Sequence, residues 1–362
     1  MIIKSFRAQN FRNIEKCSLE FDSSVNLLLG ENAQGKTNAV EGIYLFARGK
    51  SFRRGDEKDL VRFGQDGFNI FIEYEDKNGK NTLEYAVFGR ERRRKKNGYK
   101  ISRASEMVGN FKAVLFSPDD LTLVKGGPEE RREFLNVAIS QCFPSYISVY
   151  SDYKKALENR NAILKAASKG LYFDESELSA WSLSLAEYAS YIYIQRLDYI
   201  KKLEVYAKAF MHDISEGKEE LSFEYKTDIE IKSEFSRDTI KEEYARIFTE
   251  NTVKEKAAGV TLYGPHREDI LIKINGNDSR IFSSQGQQRS IVLSLKMAEG
   301  EVSRELFSEY PVFLFDDVLS ELDERRQKFV LDGMKDRQII ITSCERLRTA
   351  GTVIEVKGGV FG

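Results

Sequence analysis

Gly30-Glu31-Asn32-Ala33-Gln34-Gly35-Lys36-Thr37 follows an apolar run, Val25 to Leu29, and precedes Asn38 to Ala47, where apolar residues recur at helical spacing. The run reads as a buried parallel strand. Strand, glycine-rich turn and helix is the context a phosphate-binding loop requires. The two glycines let the backbone curl so that its N–H groups point inward at phosphate oxygens. The helix starting at Lys36 adds the positive end of its dipole. Lys36 is placed to reach the β- and γ-phosphates, and the Thr37 hydroxyl to sit on Mg²⁺. Gly30, Asn32, Gly35, Lys36, Thr37 and Asn38 are therefore the expected nucleotide-binding residues of this loop. At average residue usage the pattern arises by chance in roughly 1% of chains of this length.

The chain has 362 residues, which implies one large or two smaller domains. Charged residues make up 31% but the net charge is −1, which excludes a globally basic nucleic-acid binder and leaves room for a local basic patch. No apolar run approaches the roughly 20 residues that span a bilayer. The start, Met1-Ile2-Ile3-Lys4-Ser5-Phe6-Arg7, has no apolar core of a signal peptide. A cytoplasmic protein with no membrane partner is expected. Cys17, Cys142 and Cys344 are far apart and fit no metal-ligand spacing, so each reads as a small buried apolar residue. With only His212 and His266, a histidine zinc site is not expected either.

Strand texture fills the first 116 residues. Lys77-Asn78-Gly79-Lys80 marks one hairpin turn and Asn97-Gly98 another. Beside the second lies a dense basic run, Arg92-Arg93-Arg94-Lys95-Lys96, which reads as a polyanion contact, DNA above all. Gly49-Lys50-Ser51-Phe52-Arg53-Arg54-Gly55 is a short basic loop, and Arg53, one helix and one turn beyond Lys36, is placed to reach phosphates. From about Gly127 to Ile247 long helical patterns take over: Glu129 to Ala138, Tyr146 to Ala167, Leu178 to Ala209 and Asp238 to Thr249. Tyr188, Tyr191, Tyr193, Tyr199, Tyr206 and Phe210 recur at helical spacing and read as core. After Thr261 strands return, with Ile270 to Ile274, Asn275-Gly276 and Arg280 to Phe282 read as a hairpin. The expected architecture is α/β: a discontinuous core of residues 1–116 and 257–362 around an inserted, mainly helical lobe at 117–256.

Val312-Phe313-Leu314-Phe315 ends in Asp316-Asp317. Two adjacent carboxylates repel unless a cation is near. The first suits a Mg²⁺ ligand, the second a group that orients and deprotonates attacking water. Asp316 and Thr37 are thus the expected metal residues, Asp317 and Lys36 the expected catalytic ones. Ser284-Gln285-Gly286-Gln287 opens a helix and forms a second anion-binding turn. In a chain with one phosphate loop, a second makes sense if it closes over another subunit's nucleotide.

These segments, with Asn10-Phe11-Arg12-Asn13, Lys50-Ser51-Phe52-Arg53, Phe116-Ser117-Pro118-Asp119-Asp120-Leu121, Arg131-Arg132-Glu133-Phe134-Leu135, Tyr263-Gly264-Pro265-His266-Arg267 and Ser320-Glu321-Leu322-Asp323, closely resemble the RecF family of bacterial recombination mediators over essentially the whole chain. The resemblance implies an ABC/SMC-type ATPase head (a P-loop NTPase) without a long coiled coil. It implies a slow Mg²⁺-dependent ATPase that dimerises with ATP and binds double-stranded DNA near single-strand gaps and junctions. It implies help in loading the RecA recombinase with RecR and RecO, in repair, replication restart and the SOS response, at the nucleoid. Ser284, Gly286 and Gln287 match the signature, Ser320 to Asp323 the D-loop, and Arg12 and Arg53 look like nucleotide-contacting arginines. Where transporters carry a switch histidine, this chain has Thr342 or Ser343, which suits slow hydrolysis.

A nucleotide-binding subunit of a membrane transporter shares the loop, the signature and Asp316-Asp317. The missing switch histidine and the long helical insert stand against it. A structural SMC clamp needs far more coiled coil, and a metabolic kinase lacks the signature turn and D-loop.

Overall fold

The computed structural model describes residues 1–230, 235–334, 336–346 and 351–362. At its centre is a six-stranded sheet in the order Val360–Phe361, Thr352–Lys357, Val25–Leu29, Ile339–Ser343, Val312–Asp316, Ala113–Phe116. All its pairings are parallel except the first, where the two-residue strand Val360–Phe361 runs back along Thr352–Lys357. Its middle strands are apolar on both faces, as strands covered on both sides must be. Leu28, Val312, Leu314 and Ile340 pack into one core with the helix Lys36–Arg48 and the second sheet. Leu27, Phe313, Phe315 and Ile341 turn the other way, onto Leu293 and Met297 of the helix Gln285–Phe307.

The second sheet is antiparallel, in the order Ile14–Glu20, Ile2–Phe11, Gly67–Asp76, Gly79–Phe88, Glu91–Lys96, Tyr99–Lys100. Both expected turns are present, and Asn97 and Gly98 take positive φ (51° and 81°), as a tight hairpin needs.

The helical lobe carries Pro128–Cys142, Pro144–Ser168, Glu175–Ser215, Arg237–Glu250 and Thr252–Ala258. Glu175–Ser215 has 41 residues, about 60 Å at 1.5 Å each, and runs along Gln285–Phe307, so one long helix joins the lobe to the core. Tyr193 and Tyr199 are buried, and Tyr188, Tyr191, Tyr206 and Phe210 pack partly buried against the same core.

Two expectations need correction. Arg280 to Phe282 is not a returning strand: Asn277–Asp278 alone pairs back, and Ser279–Phe282 is a short helix whose first turn is capped by the Asp278 side chain. The strand Asp269–Ile274 also does not join the central sheet. It pairs with Leu221–Lys226, a strand within the helical segment, and its Ile270, Ile272 and Ile274 bury against the helices. The helical lobe therefore extends past 257, to about Asp278. Among the described residues, no helix is long and apolar enough to cross a membrane.

Candidate nucleotide site

The loop strand ends at Leu29, and the chain turns at once into the helix Lys36–Arg48. Gly35 takes φ 110°, which an L-residue with a side chain adopts only under strain. At Gly30 an added Cβ would lie 2.2 Å from the Val356 carbonyl oxygen. The loop is held from the C-terminal side too: Gly359 donates its N–H to the Gln34 carbonyl at 2.9 Å, and Gly358 donates to the Gln34 side chain. Lys36 is buried, and its Nζ donates to the carbonyls of Gly30 (2.6 Å) and Glu31 (2.9 Å), with Cys344 Sγ at 3.5 Å. The ammonium thus occupies the inside of its own loop, bonded to carbonyls that a phosphate would replace.

Asp316 is buried at the end of its strand. Burial pushes its carboxyl above the usual range, while the neighbouring Thr37 and Thr342 hydroxyls favour the charged form, Thr342 donating to Oδ1 at 3.0 Å. The loop threonine and the strand aspartate, 279 positions apart in sequence, therefore meet. Asp317 follows with φ 54°, a left-handed conformation that breaks the strand directly after Asp316. Among the described residues, no group of three or more His, Cys, Asp or Glu side chains forms a metal cage. A metal at Thr37 and Asp316 would have two protein oxygens and take its remaining ligands from phosphate and water. Such a donor set fits Mg²⁺.

Arg12 and Arg53 gather on the helix after the loop. Arg12 donates to both oxygens of Glu41, at 3.0 and 2.6 Å, and to the Asp59 carbonyl at 2.8 Å. Arg53 donates to Asn38 Oδ1 at 2.9 Å and has Glu41 at 3.6 Å. Asn38 donates to Asn13 Oδ1 at 2.6 Å, and Asn13 to the Ala33 carbonyl at 3.1 Å. Asn32 accepts from Cys344 at 2.9 Å. Glu41, fully buried, and Asn13 were not expected as site residues. The signal for Glu41 was available: it is the one acid in an otherwise apolar helix, Asn38 to Ala47. Cys344 is exposed beside the loop and not a buried filler, whereas Cys17 and Cys142 are buried, with thiols pushed up to about 11 and about 12 by burial.

The signature turn stands apart. Ser284 is exposed and caps the helix Gln285–Phe307: its hydroxyl accepts the Gln287 N–H at 3.3 Å, and Gln287 Oε1 accepts the Ser284 N–H at 2.7 Å. This reciprocal box fixes the turn locally. Gln287 also donates to Glu219 Oε1 at 2.8 Å. Arg326 donates to the Gly286 carbonyl at 3.2 Å and pairs with Asp323, so the D-loop braces the signature. At Gly286 an added Cβ would meet only Arg326 Nη2, at 3.5 Å.

The remaining motifs hold the helical lobe together and tie it to the core. Arg131 grips Asp269 with two bonds of 2.8 Å, and Arg132 donates to the Glu268 carbonyl at 2.8 Å. His266 accepts from Tyr153 at 2.6 Å, and burial pushes its imidazole down to about 4, so it is neutral. Glu133 meets Arg48 and Lys50 at 2.8 Å each, tying the Arg53 loop to the helical lobe. Lys296, on the signature helix, lies 3.4 Å from Asp120 and 3.6 Å from Glu299, whose carboxyl burial raises to about 7.

The basic run is less naked than its sequence suggests. Arg92 pairs with Glu57 at 2.6 Å, Arg93 with Glu91 at 2.9 Å and Lys95 with Glu84 at 3.0 Å. Arg94 lies over the Tyr85 ring and Lys96 donates to Asn110. These are half-exposed surface pairs that a polyanion can displace at small cost.

A family model described as the RecF/RecN/SMC N terminal domain matches residues 2–357. The "DNA replication and repair protein RecF" of Clostridioides difficile (strain 630) is 40% identical over 345 residues, covering 95% of this chain and 92% of that protein. The protein of the same name from Bacillus subtilis (strain 168) is 37% identical over 369 residues and covered throughout. The solved structure of "the recombination mediator protein RecF-ATP in RecFOR pathway" superposes with a TM-score of 0.93 at 34% identity, over 100% of this chain and 97% of that one. The Smc head domain of Pyrococcus furiosus matches with a TM-score of 0.56 at 16% identity over 99% of this chain and 95% of that one, a likeness of fold alone.

Proposed function

The chain belongs to the RecF family, within the RecF/RecN/SMC N-terminal domain class, and from that premise we propose that it is an ATP-driven dimeric switch on DNA in recombinational repair. The family's names speak of DNA replication and repair, and a matched structure of RecF with ATP. In this reading the loop Gly30 to Thr37 receives the triphosphate, with Asn32 and Asn38 beside it. Lys36 leaves the Gly30 and Glu31 carbonyls for phosphate oxygens, a charge-assisted exchange. Arg12 and Arg53 approach the nucleotide from the Asn38–Glu41 face. Thr37 and Asp316 would hold Mg²⁺, which would neutralise phosphate charge when bound. Asp317 orients and deprotonates the attacking water, and turnover is slow.

The observation that carries the dimer is Gly286. A glycine where alanine would fit without strain costs about 0.4–1 kcal/mol through the unfolded chain, and nothing in this chain crowds it. Ser284, Gly286 and Gln287 are therefore read as a surface for a phosphate held by a second copy. The dimer would bind duplex DNA near single-strand gaps and junctions, with RecR and RecO assisting RecA loading, in the cytoplasm at the nucleoid. Arg92 to Lys96 are the proposed DNA contacts, through cations whose surface pairs give way.

Sedimentation with and without ATP, each with and without duplex DNA, tests this. The expected result is a monomer that becomes a dimer with ATP and co-sediments with DNA only then. A monomer at saturating ATP, with or without DNA, would overturn the switch.

A further inference from the structure

Thr342 lies on Ile339–Ser343, the strand inserted between the loop strand and the strand that ends in Asp316. Its register partners are Leu28 on one side and Asp316 on the other. The side chain is 1% exposed. Its hydroxyl donates to Asp316 Oδ1 at 3.0 Å and accepts the Asp317 N–H at 2.9 Å. One group thus fixes the carboxylate of the first aspartate and the main chain of the second. A hydroxyl is suited to this because it both donates and accepts. Ser343, the next residue, points to the opposite face of the sheet. Its hydroxyl instead closes the following turn, donating to the Glu345 carbonyl at 2.7 Å and accepting the Glu345 N–H at 3.0 Å. Of the two hydroxyls at the strand end, only Thr342 serves the carboxylates.

We propose that Thr342 is a positioning residue for ATP hydrolysis: it sets the Asp316 carboxylate against Thr37 and holds Asp317 at the strand break from which it reaches water. The inference rests on the reading that Asp316 and Asp317 serve hydrolysis. It goes beyond that reading by naming what fixes their geometry and by assigning the role to an uncharged group. A purely space-filling role would be met equally by valine, which shares threonine's β-branched shape without the hydroxyl.

The test uses the full chain with Thr342→Val, Thr342→Ser and Asp317→Asn, reading steady-state phosphate release and the affinity for a fluorescent ATP analogue. Small misplacements of a reacting group cost on the order of 10²-fold in rate. Thr342→Val should therefore lower kcat by roughly 10- to 100-fold while the analogue binds within about twofold of wild type. Thr342→Ser keeps the hydroxyl and should return most of the rate. Wild-type turnover by Thr342→Val, with Asp317→Asn inactive, overturns this proposal and leaves the carboxylate reading standing. Equal loss in the serine and valine variants also overturns it, because packing and not the hydroxyl would then matter. Wild-type turnover by Asp317→Asn overturns the carboxylate reading, and this proposal with it.

Discussion

At Gly30 an added Cβ would stand 2.2 Å from a backbone carbonyl and Gly35 holds φ at 110°, whereas at Gly286 the same added atom would find only an arginine tip at 3.5 Å. Both turns open helices, and both are read as phosphate cradles. The nucleotide loop uses its glycines to relieve strain and close approach in its own backbone, and its lysine is buried on its own carbonyls. The signature turn exposes Ser284 and Gln285, is capped on itself, and carries a glycine that no close contact in its own chain requires. In the proposed reading the first is a site closed by internal contacts until phosphate displaces them, and the second is a surface whose requirement lies outside the chain. Each variant below tests one side of that division.

The largest effect is expected at Asp317, on the nucleotide side. Asp317→Asn keeps size and hydrogen bonding but removes the charge proposed to orient and deprotonate water. Loss of general-base help costs 10²–10⁴ in rate, about 3–5 kcal/mol. The variant should bind ATP, dimerise and stay on duplex DNA for longer. Asp316→Asn should instead lose ATP-dependent DNA binding, its metal ligand being weakened. Phosphate release and DNA dissociation after an ATP chase, run on both, separate the roles. Normal dissociation from a non-hydrolysing Asp317→Asn protein would uncouple hydrolysis from release.

Lys36→Met comes next. A charge-assisted contact is worth about 1.5–3 kcal/mol, so ATP affinity should fall by roughly 10- to 150-fold. The dimer should weaken with it, although the signature turn is untouched. Titration with the fluorescent analogue and sedimentation at matched saturation check both. A variant that dimerises with ATP as tightly as wild type would remove Lys36 from the site.

Ser284→Arg probes the other side. It should leave ATP binding by the isolated monomer unchanged and weaken the ATP-dependent dimer by about tenfold or more, the loss of one charge-assisted hydrogen bond. Mixed with Lys36→Met subunits it can restore at most one composite site per heterodimer. If the isolated Ser284→Arg monomer no longer binds ATP, the turn acts in its own subunit and the division fails.

The strand, turn and helix around Gly30 to Thr37 were legible because their signals are local. The loop, its strand and its helix are contiguous, and Val312 to Asp317 carries its meaning in six residues. The hairpins at Asn78-Gly79 and Asn97-Gly98 were legible for the same reason. What sequence could not supply was pairing between distant segments. Leu221–Lys226 looked like part of a helical stretch because its partner, Asp269–Ile274, comes only after two further helices. Arg280 to Phe282 followed a turn and so read as a returning strand, but the Asp278 side chain caps a helix there. The charge run was visible, but not Glu57 and Glu84, which tertiary pairing brings onto it. Thr342 reaches Asp316 across 26 positions because one strand is threaded between two others, an order that no local pattern encodes.

The smallest expected effect tests the comparison most directly. Gly286 sits in the first turn of a 23-residue helix, away from the positive φ that only glycine tolerates easily, where an added methyl group would make only an ordinary contact with the Arg326 tip at 3.5 Å. Gly286→Ala should then stabilise the monomer by about 0.4–1 kcal/mol, mainly by narrowing the unfolded ensemble. Gly35→Ala makes the opposite change, because an alanine at φ 110° is strained by about 1–2 kcal/mol or more. Urea unfolding of the two nucleotide-free monomers gives both signs in one experiment. The more stable Gly286→Ala monomer should nonetheless dimerise less well with ATP, because its methyl group stands where a partner's phosphate would approach. A destabilised Gly286→Ala monomer would mean that the glycine serves its own fold. A stabilised monomer that dimerises like wild type would mean that no second copy needs it, and the two turns would no longer differ in the way proposed.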